Sequence, residues 1–258
     1  MIDLLRASSR RLADPLTAGA LIVVAATVVF LAYPDLDLWF SGLFHDPTRG
    51  FFLAGNGALV ALRRSSDIVL IAISAAVIAS IVVKLARPDR RSLIPPRDSV
   101  FLASTLALGP GLVVNLILKN NWGRARPARV DAFGGDAIFS GVWAIADSCS
   151  RNCSFVSGEA SSAIWIMSLF LIVPRTWRLP TFIVTGIYAL ALSLNRIAFG
   201  GHFLSDVVLS WGLTLMIIAA VYRLLYVNPP AALANESLEA GLGRFGMKLR
   251  RLVSGGSA

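Results

Sequence analysis

Six stretches of this chain, 16–33, 68–86, 100–118, 160–173, 181–194 and 204–227, are almost uninterrupted runs of apolar residues separated by short polar connections. A helix of about 18–20 apolar residues crosses a ~30 Å hydrocarbon core, so each run reads as a membrane span, the fourth and fifth only if they extend into polar neighbours. The pattern predicts an all-α integral membrane bundle of about six transmembrane helices. A membrane β-barrel would instead show alternating segments of about ten residues, and these runs do not alternate. The first run, preceded by Arg6, Arg10 and Arg11, is long for a signal peptide and lacks a small-x-small cleavage site before "YPDLD", so it is kept as a span.

Composition agrees: of 258 residues 56% are hydrophobic and 15% charged, with a mean hydropathy of +0.70. Basic residues in the connections set orientation. The N-terminal arm, the second connection (Lys84, Arg87, Arg90, Arg91, Arg97), the fourth (Arg175, Arg178) and the tail (Arg223, Arg244, Lys248, Arg250, Arg251) fall on one side of a six-span chain. Both termini are therefore expected in the cytoplasm, and these charges account for most of the net +9. No soluble segment is long enough to make a nucleic-acid-binding face. Two regions are expected: residues 1–228 as the membrane domain and 229–258 as a cytoplasmic tail. In that tail Leu238, Leu242, Phe245, Leu249 and Leu252 recur at helical spacing, which suits an interfacial amphipathic helix weakened by its glycines.

The third connection breaks the charge rule, because Lys119, Arg124, Arg126, Arg129 and Arg151 fall on the predicted outer side. It also holds Cys149 and Cys153, which could close a small disulfide, "CSRNC", in an oxidising compartment or stay as free thiols. Two thiols without a nearby histidine do not make a metal site.

Charges beyond topology gather in three segments. "KNNWGRARP" (119–127) ends the third span and "NRIAFGGHFLSD" (195–206) joins the fifth to the sixth. Lys119, Arg126 and Arg196 would share one membrane face, where forked guanidinium donors and a lysine point charge match an anion with several oxygens. A snorkelling or head-group role explains any one of them alone. His202 and Asp206, four apart at a helix start, share a face, so the carboxylate could hold one ring nitrogen and leave the other as nucleophile or base, or the pair could be a structural hydrogen bond. Gly200 and Gly201 allow a close backbone approach or a sharp turn. In "SFVSGEAS" (154–161), Ser157 and Gly158 open a helix whose N–H groups favour an anion, although a serine N-cap explains Ser157 equally well. Glu159 puts a negative charge where phosphate would bind.

These segments resemble the three blocks KxxxxxxRP, PSGH and SRxxxxxHxxxD of the type 2 phosphatidic acid phosphatase superfamily, which includes integral-membrane lipid phosphatases. The first block is complete, the third has Asn195 for its leading serine, and the second reads Val156-Ser157-Gly158-Glu159. The resemblance implies that Lys119, Arg126, Arg196, Ser157 and the Gly158 N–H hold a phosphate. His202 would attack phosphorus to form a phosphohistidine, with Asp206 orienting it, and water would release phosphate with no metal or other cofactor. Glu159 stands at the position of the family's acid histidine. A carboxyl donates a proton at neutral pH only if its pKa rises well above ~4.3, and neighbouring cations push the other way.

The expectation is a weak, selective phosphatase acting on an amphiphile at the outer face of a bacterial inner membrane: lipid A, undecaprenyl diphosphate, phosphatidylglycerophosphate or phosphatidate. Its partners would be that substrate and the bilayer, with no nucleic acid. A catalytically impaired binder of lipid phosphate is the main alternative. A transporter is a third, kept open by Gly109-Pro110-Gly111 inside the third span.

Overall fold

The computed structural model describes residues 14–255, so the arginines of the N-terminal arm lie outside the described residues. Among the described residues the regular elements are helices and one small hairpin: α1 (Pro15–Ala32), α2 (Asp35–Gly42), β1 (His45–Asp46), β2 (Gly50–Phe51), α3 (Gly57–Ala86), α4 (Pro96–Asn121), α5 (Gly158–Leu171), α6 (Arg175–Ala198), α7 (Leu204–Val227) and α8 (Asn235–Gly255). The protein is an all-α membrane bundle in which α1, α3, α4, α6 and α7 are long and apolar enough to cross a bilayer. The sixth expected span is α5, roughly 21 Å long at 1.5 Å per residue and thus short of the ~30 Å hydrocarbon thickness. Its first turn is polar because it is part of the site described below.

Helix ends follow local chemistry. Asp14 caps α1, its carboxylate accepting from the Thr17 N–H at 3.2 Å, and Pro15 fills the first turn. In α4 the residues Ala107–Leu118 widen into π-helix around Pro110. Proline has no N–H for the α ladder, and the wider turn absorbs the loss without a break, the Asn115 side chain donating to the Pro110 carbonyl at 2.7 Å. The Gly-Pro-Gly interruption is therefore a widened turn within a continuous helix.

The chain folds as two compact units, 14–67 with 106–219, and 68–105 with 220–255. In the first, α1 and α7 cross at Gly19 and Gly212, where a Cβ on either would come within 3.0 Å of the other's carbonyl oxygen. The long connection 122–157 folds back onto this unit, with Val142, Phe155 and Val156 buried in a cluster with Ala26, Phe30, Val114, Leu118 and Leu209. Trp143 donates to Thr27 Oγ1 at 2.9 Å and packs edge-on against Phe155. Cys149 and Cys153 are joined as a disulfide. In the second unit, Gly243 and Gly246 of α8 face Leu85 and Pro88, where a Cβ on Gly246 would lie 2.7 Å from the Leu85 carbonyl oxygen. The tail glycines thus form a packing face, while Phe245 and Leu252 stay exposed.

Candidate active site

The short helix α5 begins at the centre of the first unit. Ser157 caps it, its hydroxyl accepting from the Ala160 N–H at 3.3 Å and its own N–H donating to the Asp206 carbonyl at 3.1 Å. Gly158 follows where nothing larger fits: a Cβ would lie 2.8 Å from Asn115 Oδ1 and 3.3 Å from Lys119 Nζ. Asn152, in the disulfide loop with φ of 52°, holds the two cations of the 119–127 segment. Its Oδ1 accepts from Lys119 at 3.3 Å and its carbonyl from Arg126 at 2.9 Å.

The turn 199–203 carries the histidine. Gly200 adopts φ of 62° in a position where a Cβ would strike the Phe51 ring, and Gly201 leaves room for the Arg196 guanidinium. The Gly200 carbonyl accepts from Ala128 N–H at 3.0 Å, tying this turn to the 119–127 segment.

His202 is fully buried. Its Nδ1 lies 2.8 Å from the Ser154 carbonyl oxygen, which only accepts, so Nδ1 carries the ring proton and Nε2 presents a lone pair. Among the described residues Nε2 has no hydrogen-bond partner, and Glu159 Oε2 lies 3.8 Å from it. Burial first, then the charges of Lys119 and Arg196, bring its pKa down to about 4 against the opposing pull of Asp206. The imidazole is neutral at pH 7.

Asp206 does not take the ring proton, since its Oδ2 is 3.8 Å from Nδ1. Oδ2 accepts instead from Ser154 Oγ at 2.5 Å and from Phe203 N–H at 2.9 Å, and Oδ1 is paired with Arg124 at 2.6 Å. Asp206 thus fixes the two segments that hold the imidazole. Arg124 continues inward to Asp37 at 2.8 Å, and Asp37 accepts from the hydroxyl and N–H of Ser205. Burial works against the Arg124 charge, but Asp206 and Asp37 outweigh it and raise its pKa. Burial raises that of Asp37, with Arg124 opposing.

Glu159 forms a second ionic cluster, its two oxygens paired with Arg63 Nε at 2.9 Å and Arg196 Nε at 2.5 Å. Lys119, Arg126, Ser157, Gly158, Glu159, Arg196, His202 and Asp206 are therefore brought into one connected site. Arg63, Arg124, Asp37, Ser154 and Asn152 join it without having been singled out by sequence. Arg124 stood inside the first block but read as one more loop charge, whereas Asp37 and Arg63 lie outside all three blocks.

A helical membrane bundle with a neutral, unpartnered histidine nitrogen amid lysine and arginine is a class of protein fit to hold and attack an oxyanion. The PAP2 superfamily matches residues 98–230 of the chain. Lipid A 4'-phosphatase of Francisella tularensis subsp. novicida is 35% identical over 210 residues, covering 81% of this chain and 94% of that protein. Lipid A 4'-phosphatase of Rhizobium leguminosarum is 35% identical over 213 residues (78% and 91%), and that of Rhizobium etli 33% over 226 (81% and 88%). No solved structure matches. This chain belongs to the PAP2 superfamily.

Proposed function

We propose that this protein is a membrane lipid phosphatase that hydrolyses a phosphomonoester on lipid A or a related amphiphile, with its site facing the periplasm and both termini in the cytoplasm. The observation that carries the chemistry is the His202 ring: Nδ1 is committed to a backbone carbonyl and Nε2 is bare, neutral and buried. Lys119, Arg126, Arg196 and the N-terminus of α5 hold the phosphate oxygens. The lone pair on Nε2 attacks phosphorus, the P–O bond to the lipid breaks, and the lipid oxygen takes a proton. Water then attacks phosphorus and displaces Nε2, releasing inorganic phosphate, with no metal needed for either step.

Glu159 supplies that proton in this reading. In the free site it stands ionised between two guanidinium groups. A phosphate seated on Arg196 replaces one of those contacts and sets two negative charges beside the carboxyl, which favours proton uptake from water. The acid delivers its proton to the lipid oxygen and recovers one from the attacking water, so the cycle closes.

The test is phosphate release in detergent with chelator present, from lipid A, undecaprenyl diphosphate, phosphatidylglycerophosphate and phosphatidate. His202→Ala should lower turnover on the order of 10⁴-fold or more. Glu159→Gln should lower kcat by about 10²–10⁴ for a sugar phosphate and less for a diphosphate, whose leaving group needs less proton assistance. Full activity of His202→Ala would end the histidine mechanism. The two-arginine clamp on Glu159 also favours a second reading, a protein that binds lipid phosphate without turning it over. No release by the wild type, with activity gained by Glu159→His, would select it.

A further inference from the structure

The phosphate-gripping residues open into a cleft of about 1080 Å³ that none of the steps above uses in full. Arg126 and Arg196 line it, together with Arg63, Arg64, Arg129 and Arg151. Among the described residues Arg64, Arg129 and Arg151 make no ion pair, and all three are exposed. A volume of this order matches a ligand of drug size and far exceeds one phosphate.

The rest of the lining says what kind of ligand. Asp67, Asp136, Ser148 and Ser150 stand among the arginines. Carboxylate and hydroxyl oxygens beside guanidinium groups suit a head group that carries neutral hydroxyls as well as charge. Arg151 is placed by the disulfide loop that also sets Asn152 against Lys119 and Arg126. The distal arginines and the cleavage site are therefore parts of one framework.

We infer that this cleft is a second anion subsite, in which Arg129 and Arg151 receive another negatively charged group of the same polyhydroxylated head group whose phosphate lies at His202. The inference rests on the phosphatase reading and narrows the substrate class to a saccharide-like amphiphile with at least two anionic groups. Small head groups with a single phosphate leave the cleft empty.

The experiment compares two probes with the same cleavable phosphate: bisphosphorylated lipid A and the same lipid lacking its second phosphate. Arg129→Ala/Arg151→Ala should raise KM for the bisphosphorylated lipid roughly tenfold to hundredfold, the span expected for charge-assisted hydrogen bonds. Its kcat, and both constants for the singly phosphorylated lipid, should not change. Equal losses for both lipids, or no loss for either, overturn the subsite. Adding phosphatidylglycerol to neutral micelles separates the sources of charge: a dependence on the arginines that follows the micelle lipid assigns the cleft to the bilayer and overturns the proposal. Binding of both lipids to His202→Ala protein gives a readout that needs no turnover. A preference for two phosphates that vanishes with Arg129 and Arg151 supports the subsite even if the phosphatase reading fails, and no preference overturns it.

Discussion

Two arginine–carboxylate clusters lie on either side of His202, and they differ in how much water reaches them. Arg124, Asp37 and Asp206 are each about 1% exposed or less. In the other cluster Arg196 is buried, but Glu159 is 23% and Arg63 48% exposed. A sealed pair must keep its geometry, since removing one partner strands the other in a medium of low dielectric. A wetted pair exchanges partners at little cost. The sealed cluster is the frame that holds Ser154 and Phe203 around the imidazole. The open one is a set of charges that an incoming phosphate can rearrange.

The largest effect is expected at Arg124. Arg124→Ala would leave two carboxylates buried without their cation, and a loss of about 3–5 kcal/mol in folding stability is expected. Detergent-solubilised variant and wild type, compared by thermal unfolding, give the answer. A change below 1 kcal/mol would mean that the cluster is not a frame.

Next comes pH, because His202 belongs thermodynamically with the sealed side. Burial brings its pKa from the ordinary 6.5 down to about 4 on folding. The unfolded chain therefore takes up the proton first as pH drops. Stability is full above about 6.5, declines through the window from 6.5 to about 4, and levels off below it, for a total near 3 kcal/mol. The charges facing the ring are Lys119, Arg196, Glu159 and Asp206. Unfolding measured from pH 7.5 to 4 should show the decline, and His202→Gln should flatten it. Identical profiles would assign the acid sensitivity to other groups.

The two clusters were unequally legible in the sequence. Blocks of fixed spacing exposed the cations and the His202–Asp206 pair, because a helix puts residues four apart on one face. The bundle was legible from hydrophobic runs, α5 included, although the run at 160–173, expected to span only by extending into polar neighbours, forms a helix shorter than a span. The sealed cluster was not legible, since nothing local links Asp37 to Arg124 across 87 positions. Hydropathy also hid Arg63. It starts the second span at residue 68, yet α3 begins at Gly57, and the roughly three added turns carry the arginine to Glu159. The expected Asp206–His202 hydrogen bond was right about proximity and wrong about partner, because the Ser154 carbonyl competes better for the ring proton.

The smallest change in stability is expected at Arg63. Arg63→Ala removes one half of an exposed pair, so folding stability should change by less than about 1 kcal/mol. Its effect should appear in binding. When phosphate takes Arg196, the displaced carboxylate leans on Arg63 until it is protonated. Without Arg63 that displacement costs more, and KM should rise about tenfold, the lower end for a hydrogen bond to a charged group. Glu159→Gln abolishes the displaced charge, so in that background Arg63→Ala should no longer change KM. A double-mutant cycle reads this coupling directly. Additive effects on KM would mean that Arg63 touches substrate independently of Glu159. A large loss of stability in Arg63→Ala would make the open cluster a frame like the sealed one, and the phosphate would then need another way in.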